Sequence, residues 1–394
     1  MLRTAKALLD RDLRVDLVLC ELQGPLVEDI PLRTRVIELE PAPMPLARAY
    51  ALAADPAGFR AMLRPVLLGW KPPHRLSYLP GLVRYLRSAR PDGLLAALST
   101  PNLLAVWARR LTGGKTRIVI SERDALSTAI SGSRAWRRRH LPPLLARAYP
   151  MADGIVAVSN GVADDLAACT GIPRNRITTV YNPVVGPDLL AKTQQPVGHP
   201  WFAPGEPPVI LAAGRLHPQK DFATLIRAFA RLRAERPLRL VILGAGTSGD
   251  ASYVADLKAL PHRLGVANDV DMPGYSPDVL AYMRRASVFV LSSVHEGLGI
   301  VLIEALACGT PVVSTDCPHG PREILDHGRF GPLVPVGDDE SMAAAIRTAL
   351  DDPVAPELLR SHGAMFSIER AVERYLDLMF GKQDGRGSTS VTAG

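Results

Sequence analysis

Two glutamates eight positions apart, Glu296 and Glu304, bracket a nearly unbroken apolar run, and their spacing poses the first chemical question. From Ile300 to Cys308 only Glu304 is polar, so a helix there reads as buried on every side while carrying one carboxylate. Burying a charge without partners costs several kcal/mol or shifts its pKa, so Glu304 needs hydroxyls or amides around it. Just upstream, Gly297 and Gly299 flank Leu298 and leave the helix start bare, with its amides and positive dipole end facing outward. An anion-binding helix start between two hydrogen-bond-accepting carboxylates suits a phosphate attached to a sugar. The plainer alternative is a salt-bridged core glutamate beside flexible glycines.

A second cluster carries the opposite charge. Gly214-Arg215-Leu216-His217-Pro218-Gln219-Lys220-Asp221 follows an expected strand, Val209–Ala213, and precedes a helical run, Phe222–Leu232. Arg215 as a two-pronged donor and Lys220 as a mobile point charge make this turn a diphosphate clamp. Solubilising surface residues are the alternative, but the strand's C-terminal edge is where α/β sheets bind ligands. Gly244-Ala245-Gly246-Thr247-Ser248-Gly249 matches G-x-G-x-x-G, with Asp269 near the expected acidic position. Alone, it suggests a nicotinamide-dependent oxidoreductase; glycine-rich turns after mid-chain strands are common, so the signal is weak. Asp269-Val270-Asp271 mimics a D-x-D metal motif but opens a strand leading to Pro273-Gly274-Tyr275, and no metal is expected there.

The elements that must position these groups alternate, β-branched runs with helical stretches, as in parallel sheets of an α/β protein. Strands are expected at Val15–Cys20, Arg35–Leu39, Leu94–Leu98, Arg117–Ser121, Ile155–Val158 and Thr178–Tyr181. In the second half they fall at Val209–Ala213, Leu238–Leu243, Asp269–Met272, Val288–Leu291 and Pro311–Ser314. Two Rossmann-like domains facing across a cleft follow, spanning 1–187 and 208–365, with a polar, Pro- and Gly-containing linker at 188–207. The tail 382–394 is poor in hydrophobics and is expected to be disordered. The chain opens with a helical stretch at residues 2–11, whereas a Rossmann-like domain starts with a strand and a glycine-rich turn. A missing N-terminal strand is therefore expected.

The segment Ser292–Cys308 resembles the E-x7-E signature of retaining GT-B glycosyltransferases of family four, and the resemblance runs over nearly all the chain. It implies the GT-B architecture and transfer of a sugar from a nucleoside-diphosphate sugar to an acceptor hydroxyl, with retention and without a metal or other cofactor. It assigns Glu304 to the ribose hydroxyls and Glu296 to the side of the transferred sugar. Arg215 and Lys220, in an element similar to the family's G-R-L-x-x-x-K, become pyrophosphate ligands. Gly297, Leu298, Gly299, Gly244 and Gly246 line the donor, and Tyr275 lies by the base, with a simple turn tyrosine as the open alternative. The family often has Phe where Leu298 stands. Cys317–Glu323 resembles its G-x-x-E-I-L segment, whose helix start frames the donor sugar. The helix at 366–381 is expected to cross back to the first domain, as final helices do in this family. Many relatives have His at the position of Arg123; here Arg123 orients an anionic acceptor or pairs with Asp124, and Glu122 is the nearest candidate base.

Charge is uneven. Residues 1–187 carry 26 Lys and Arg against 15 Asp and Glu, and the remainder 20 against 24. The densest patch, Arg134, Arg137, Arg138, Arg139 and Arg147 with Trp136, reads either as a solvated helix face or as a contact with anionic membrane or a lipid-linked phosphate acceptor. No nucleic-acid motif accompanies it. With no apolar run of about 18 residues, no signal-peptide core and four scattered cysteines, a cytoplasmic protein is expected, lying peripherally on the inner face of the cell membrane. Its partners are then a nucleotide-sugar donor and a glycan or lipid-linked acceptor. The rival readings are a shortened nucleotide-sugar-binding protein without turnover and the NAD-dependent oxidoreductase.

Overall fold

The computed structural model describes residues 1–68, 74–131 and 140–381. Its chain forms two compact units. The first comprises Met1–Val158, Ala163–Val180 and the chain from Glu369; the second comprises Ser159–Val162 and Tyr181–Ile368. No helix among the described residues is long and apolar enough to cross a membrane.

In the first unit a helix, Leu2–Leu9, precedes β1 (Asp16–Leu19), which pairs in parallel with β2 (Arg35–Glu38). A separate parallel sheet has the order β3 (Gly93–Ala97), β4 (Arg117–Glu122), β5 (Gly154–Ala157), β6 (Ile177–Thr179). The helix Ile368–Phe380, counted with this unit from Glu369 onward, covers one face of that sheet. Its apolar stripe of Ala371, Tyr375, Leu378 and Met379 lies on Val119, Val156 and Val180. A methyl group at Gly93 would sit 2.0 Å from Met379 Sδ, so a side chain there would force the methionine to move.

The second unit holds a six-stranded parallel sheet, β12-β11-β10-β7-β8-β9. Its strands are β7 (Val209–Ala213), β8 (Arg239–Leu243), β9 (Val270–Gly274), β10 (Val288–Leu291), β11 (Val312–Thr315) and β12 (Leu333–Val334). The central β7 and β10 are buried at every position, as strands covered on both faces must be. Ile210, Phe229, Leu240, Val290 and Ile346 share one core with them. β12 was not expected: two residues between Pro332 and Pro335 are too short to show a period.

The stretch expected as a linker folds with the second unit. It contains a helix, Pro187–Lys192, and a 3-10 turn, Pro200–Phe202. His199, Trp201 and Phe202 gather with Tyr282, and the Arg239 guanidinium lies 4.8 Å over the Trp201 ring. Those rings anchor a stretch that stays mostly exposed and that composition alone reads as a spacer.

Of the basic patch, only Arg147 is among the described residues. Arg134, Trp136 and Arg137–Arg139 lie outside the described residues, as does the tail 382–394. Arg147 is an ion-pair partner instead: it grips Asp55 with two donors, one at 2.7 Å, and Asp55 is 2% exposed.

Candidate active site

Parallel strands place all their C-terminal ends on one edge, and the sheet order reverses between β7 and β10. A ligand crevice forms at such a switch point. The turn after β7 carries Arg215 and Lys220, and the loop after β10 carries Glu296. Lys220 Nζ stands 2.5 Å from Glu296 Oε1, so the two loops meet through opposite charges.

Local sequence explains the meeting. His217 Nδ1 accepts from Gln219 N at 3.1 Å and opens a 3-10 turn, Pro218–Lys220. Asp221, in the left-handed region at φ 42°, ends that turn and caps the helix Phe222–Arg233 through Thr224 N. The turn is then laced to the β10 loop. Gln219 Nε2 donates to His295 O at 2.9 Å, Val294 N to Gln219 O at 2.8 Å and Ser292 Oγ to Lys220 O at 2.7 Å. Ser293, fully buried, donates to Glu296 Oε1 at 2.7 Å, and its own carbonyl accepts from Thr315 Oγ1 at 2.6 Å. Sequence reading missed Ser293 and Thr315; a serine three positions before the glutamate was the available signal. Cys317 sits close enough to feel Glu296: burial first, then that carboxylate, push its thiol up to about 12, which leaves it protonated and inert.

Arg215 is exposed at the same edge, where its charge, after hydrogen bonds from Thr247 and the pull of His217, helps hold Asp250 below the usual carboxylate range. Lys220 and Glu296 are thus brought together, while Arg215 reaches outward beside them.

The helix Ile300–Cys308 has the expected bounds. Glu304 is 7% exposed, one turn before Cys308, whose thiol is pushed up to about 12 by burial and then by the Glu304 charge. Arg284 Nη1 closes the helix end by donating to Cys308 O at 3.1 Å. Gly299 is the N-cap at φ 92°, a conformation that demands glycine. The turn before it is less bare than expected. Gly297, Leu298 and Gly299 are buried, and Ile300 is the first exposed residue, at 38%.

Gly244 follows β8 and its amide donates to Gly274 O at 2.8 Å. A Cβ there would lie 1.8 Å from Gly214 O, so the turns after β7 and β8 touch backbone to backbone. Gly244→Ala is expected to destabilise the protein by about 3 kcal/mol, read from urea unfolding midpoints. An unchanged midpoint would show that these turns separate freely. Gly246 is less tight, since a Cβ there would lie 2.6 Å from Val254 Cγ2, and Gly249 has only one distant neighbour. The third glycine of a dinucleotide turn serves close helix packing, which Gly249 does not do here. Asp269 precedes β9, at the wrong end of the strand for a ribose ligand, and is held by Arg233 at 2.8 Å and by Arg239. Asp271 pairs with His199 Nε2 at 2.9 Å. The G-x-G-x-x-G and D-x-D matches therefore reflect packing and ion pairs. Tyr275, directly after β9, is 79% exposed on the switch-point edge.

In the first unit Glu122 ends β4 and is 5% exposed. It accepts from the Tyr149 hydroxyl, from Asn102 Nδ2 at 3.3 Å and from Ser99 Oγ at 3.2 Å. Burial dominates these bonds and pushes its carboxyl up to about 7. Both oxygens are occupied from within, so as it stands Glu122 faces protein donors and not an acceptor. Arg123, half-buried, lays its guanidinium 3.0 Å from Met1 Sδ.

Comparison with known proteins agrees along most of the chain. Residues 1–185 match the profile described as Glycosyltransferase Family 4, and residues 199–364 match Glycosyl transferases group 1. One relative is an N-acetylgalactosamine-N,N'-diacetylbacillosaminyl-diphospho-undecaprenol 4-alpha-N-acetylgalactosaminyltransferase of Campylobacter jejuni, 35% identical over 257 residues, which are 65% of this chain and 66% of the relative. Another is the lipopolysaccharide core biosynthesis glycosyltransferase LpsE of Rhizobium meliloti, 36% identical over 45% of this chain and 52% of its own length. The chain thus spans under two thirds of the length of these curated relatives. Among solved structures, HepE of Anabaena in complex with UDP superposes with a TM-score of 0.70 at 20% identity, over 95% of this chain and 93% of that one. At that identity the likeness concerns the fold.

Proposed function

Because the chain belongs to the family-four, group 1 glycosyltransferases and has their GT-B fold, we propose that it moves a sugar from a nucleoside diphosphate to an acceptor hydroxyl with retention at the anomeric carbon. The observation that carries this reading is the Lys220–Glu296 pair at the sheet's switch point, with Arg215 exposed beside it. In the proposed reaction Lys220 and Arg215 bind the diphosphate, Glu304 accepts from the ribose hydroxyls and Glu296 faces the transferred sugar. The anomeric carbon–oxygen bond breaks, its electron pair passes to the leaving phosphate oxygen, and the two cations offset the charge that develops there. The acceptor oxygen bonds to the anomeric carbon from the same face and its proton goes to the departing phosphate. No separate side-chain base is then required, which suits the enclosed state of Glu122. Fixed cations at the leaving group perform the task that a divalent ion performs elsewhere.

The relative from Campylobacter jejuni is named for a diphospho-undecaprenol acceptor and LpsE for lipopolysaccharide core synthesis. Both support a lipid-linked glycan as the acceptor class, reached at a membrane surface by a protein on its cytoplasmic side. UDP is the first nucleoside diphosphate to test. A thermal-shift panel is expected to show a rise of the melting temperature with UDP, GDP or ADP and none with NAD. Radiolabelled sugar should then pass from the stabilising donor to a polyprenyl-diphosphate-linked saccharide. Stabilisation by NAD alone, or none by any nucleoside diphosphate, would remove the donor reading. Binding without transfer to any lipid-linked acceptor would favour the reading as a binding protein.

A further inference from the structure

Three groups of the second unit, drawn from two segments far apart in sequence, converge behind the Glu296–Gly299 turn. The first is the segment Ser159–Gly161. Ser159 is fully buried and its Oγ donates to Gly297 O at 2.8 Å, while accepting from Val162 N at 3.1 Å. The second is the loop Cys317–Gly320 after β11. Glu296 N donates to Pro318 O at 3.2 Å, and Gly320, at φ 91°, lies so near that a Cβ would be 2.1 Å from Leu298 O. These two groups also touch each other, since a Cβ on Gly161 would stand 2.8 Å from His319 Nδ1.

Glu323 is the third, on the short helix Pro321–Ile324 directly after that loop. Its Oε2 accepts from Asn160 N at 2.8 Å and its Oε1 from Gly161 N at 2.7 Å. The Tyr181 hydroxyl adds a third donor at 3.2 Å, and the Tyr181 ring is fixed edge-on to Phe366 at 5.1 Å. The start of a helix is ordinarily capped by a side chain of its own segment. Here the cap comes from more than 160 residues away, from the short helix that follows the loop packed on Leu298.

Resting on the donor-site reading above, we infer that Glu323 is a positioning residue of the donor pocket. By clamping two amides of Ser159–Gly161 it presses Ser159 onto Gly297 O, and so fixes the turn from which Glu296 and the Glu304 helix depart. The hydrogen bonds of Glu323 run to Asn160, Gly161 and Tyr181. A glutamine at 323 would keep one accepting oxygen and turn an N–H toward the other amide, breaking the clamp without removing bulk.

Glu323→Gln, Ser159→Ala and, as a control, Arg322→Ala test this. Arg322 neighbours Glu323 but pairs outward with Asp316. Two quantities are read well below the melting temperature: the dissociation constant for UDP, and hydrogen exchange of the amides of residues 297–302. Glu323→Gln is expected to weaken UDP about tenfold and to speed exchange at 297–302. Ser159→Ala is expected to move both in the same direction, the double variant no further than Glu323→Gln alone, and Arg322→Ala neither. A folded Glu323→Gln protein with unaltered affinity and exchange overturns the inference, even if it melts earlier, because a merely structural cap gives that pattern. Should Glu323→Gln not fold, Ser159→Ala decides in the same way. If the unmodified protein binds no nucleoside diphosphate, the donor reading falls, and the exchange measurement still judges the clamp.

Discussion

Lys220→Met is expected to cut sugar transfer about 100- to 1000-fold, with most of the loss in kcat and less in the donor KM. Methionine keeps the aliphatic stem that lies against Gly214 and deletes only the charge that pairs with Glu296 at 2.5 Å. In the proposed reaction that charge matters most when the diphosphate departs, which is why kcat should carry the effect. Stability should fall as well, by about 3 kcal/mol, since Glu296 is left nearly enclosed with its charge unpaired beside the Ser293 hydroxyl. Adding Glu296→Gln should restore much of the stability and none of the transfer. Steady-state rates and urea unfolding on the two variants separate these effects. A Lys220→Met enzyme within a few-fold of the original rate would mean that the leaving phosphate is stabilised elsewhere.

Glu122→Gln is expected to change how stability depends on pH. The carboxyl titrates at about 7 in the folded protein against an ordinary value of 4.5, because burial outweighs the bonds from Tyr149, Ser99 and Asn102. Between those two values the folded state binds the extra proton, so its contribution is fully present below about 4.5 and is lost as pH rises through 7. The whole shift corresponds to about 3 kcal/mol. Unfolding in urea at pH 5, 6, 7 and 8 should show the original protein weakening across this range. The variant should lack that component and be the more stable of the two at pH 8. Parallel curves for the two proteins would mean that Glu122 stays ionised in its cluster.

The sequence announces some parts of this molecule far better than others, and the reason is physical. β7, β10 and the helix Ile300–Cys308 stand out because their residues are covered on all sides, so burial is written into consecutive positions. The charged pair at the switch point was legible as two separate motifs; that Lys220 meets Glu296 depends on strand order, which no local pattern states. The donors of Glu122 come from Ser99 and Asn102 on the helix Ser99–Thr112 and from Tyr149 far along the chain, and no local pattern joins the two. Glu323 was visible in its segment, but the amides it serves belong to Asn160 and Gly161. The glycines after β8 carry a dinucleotide pattern for a different reason: Gly244 and Gly246 are there because neighbouring atoms leave no room for a methyl group. The residues at 188–207 look like a spacer because their aromatics are few, and only Tyr282 and Arg239 make Trp201 and Phe202 part of a cluster.

The return of the helix Ile368–Phe380 to the first sheet has a consequence for biosynthesis. Val119, Val156 and Val180 leave the ribosome long before Ala371 and Tyr375, which cover them. The strands of this unit must therefore wait, with one face of their sheet bare, until the helix Ile368–Phe380 has been made. During that interval the exposed strands are open to chaperones or to a neighbouring polysome's product. Ribosome-stalled chains ending just before Glu369 should accordingly be digested by protease in this unit, and chains extended past Phe380 should resist.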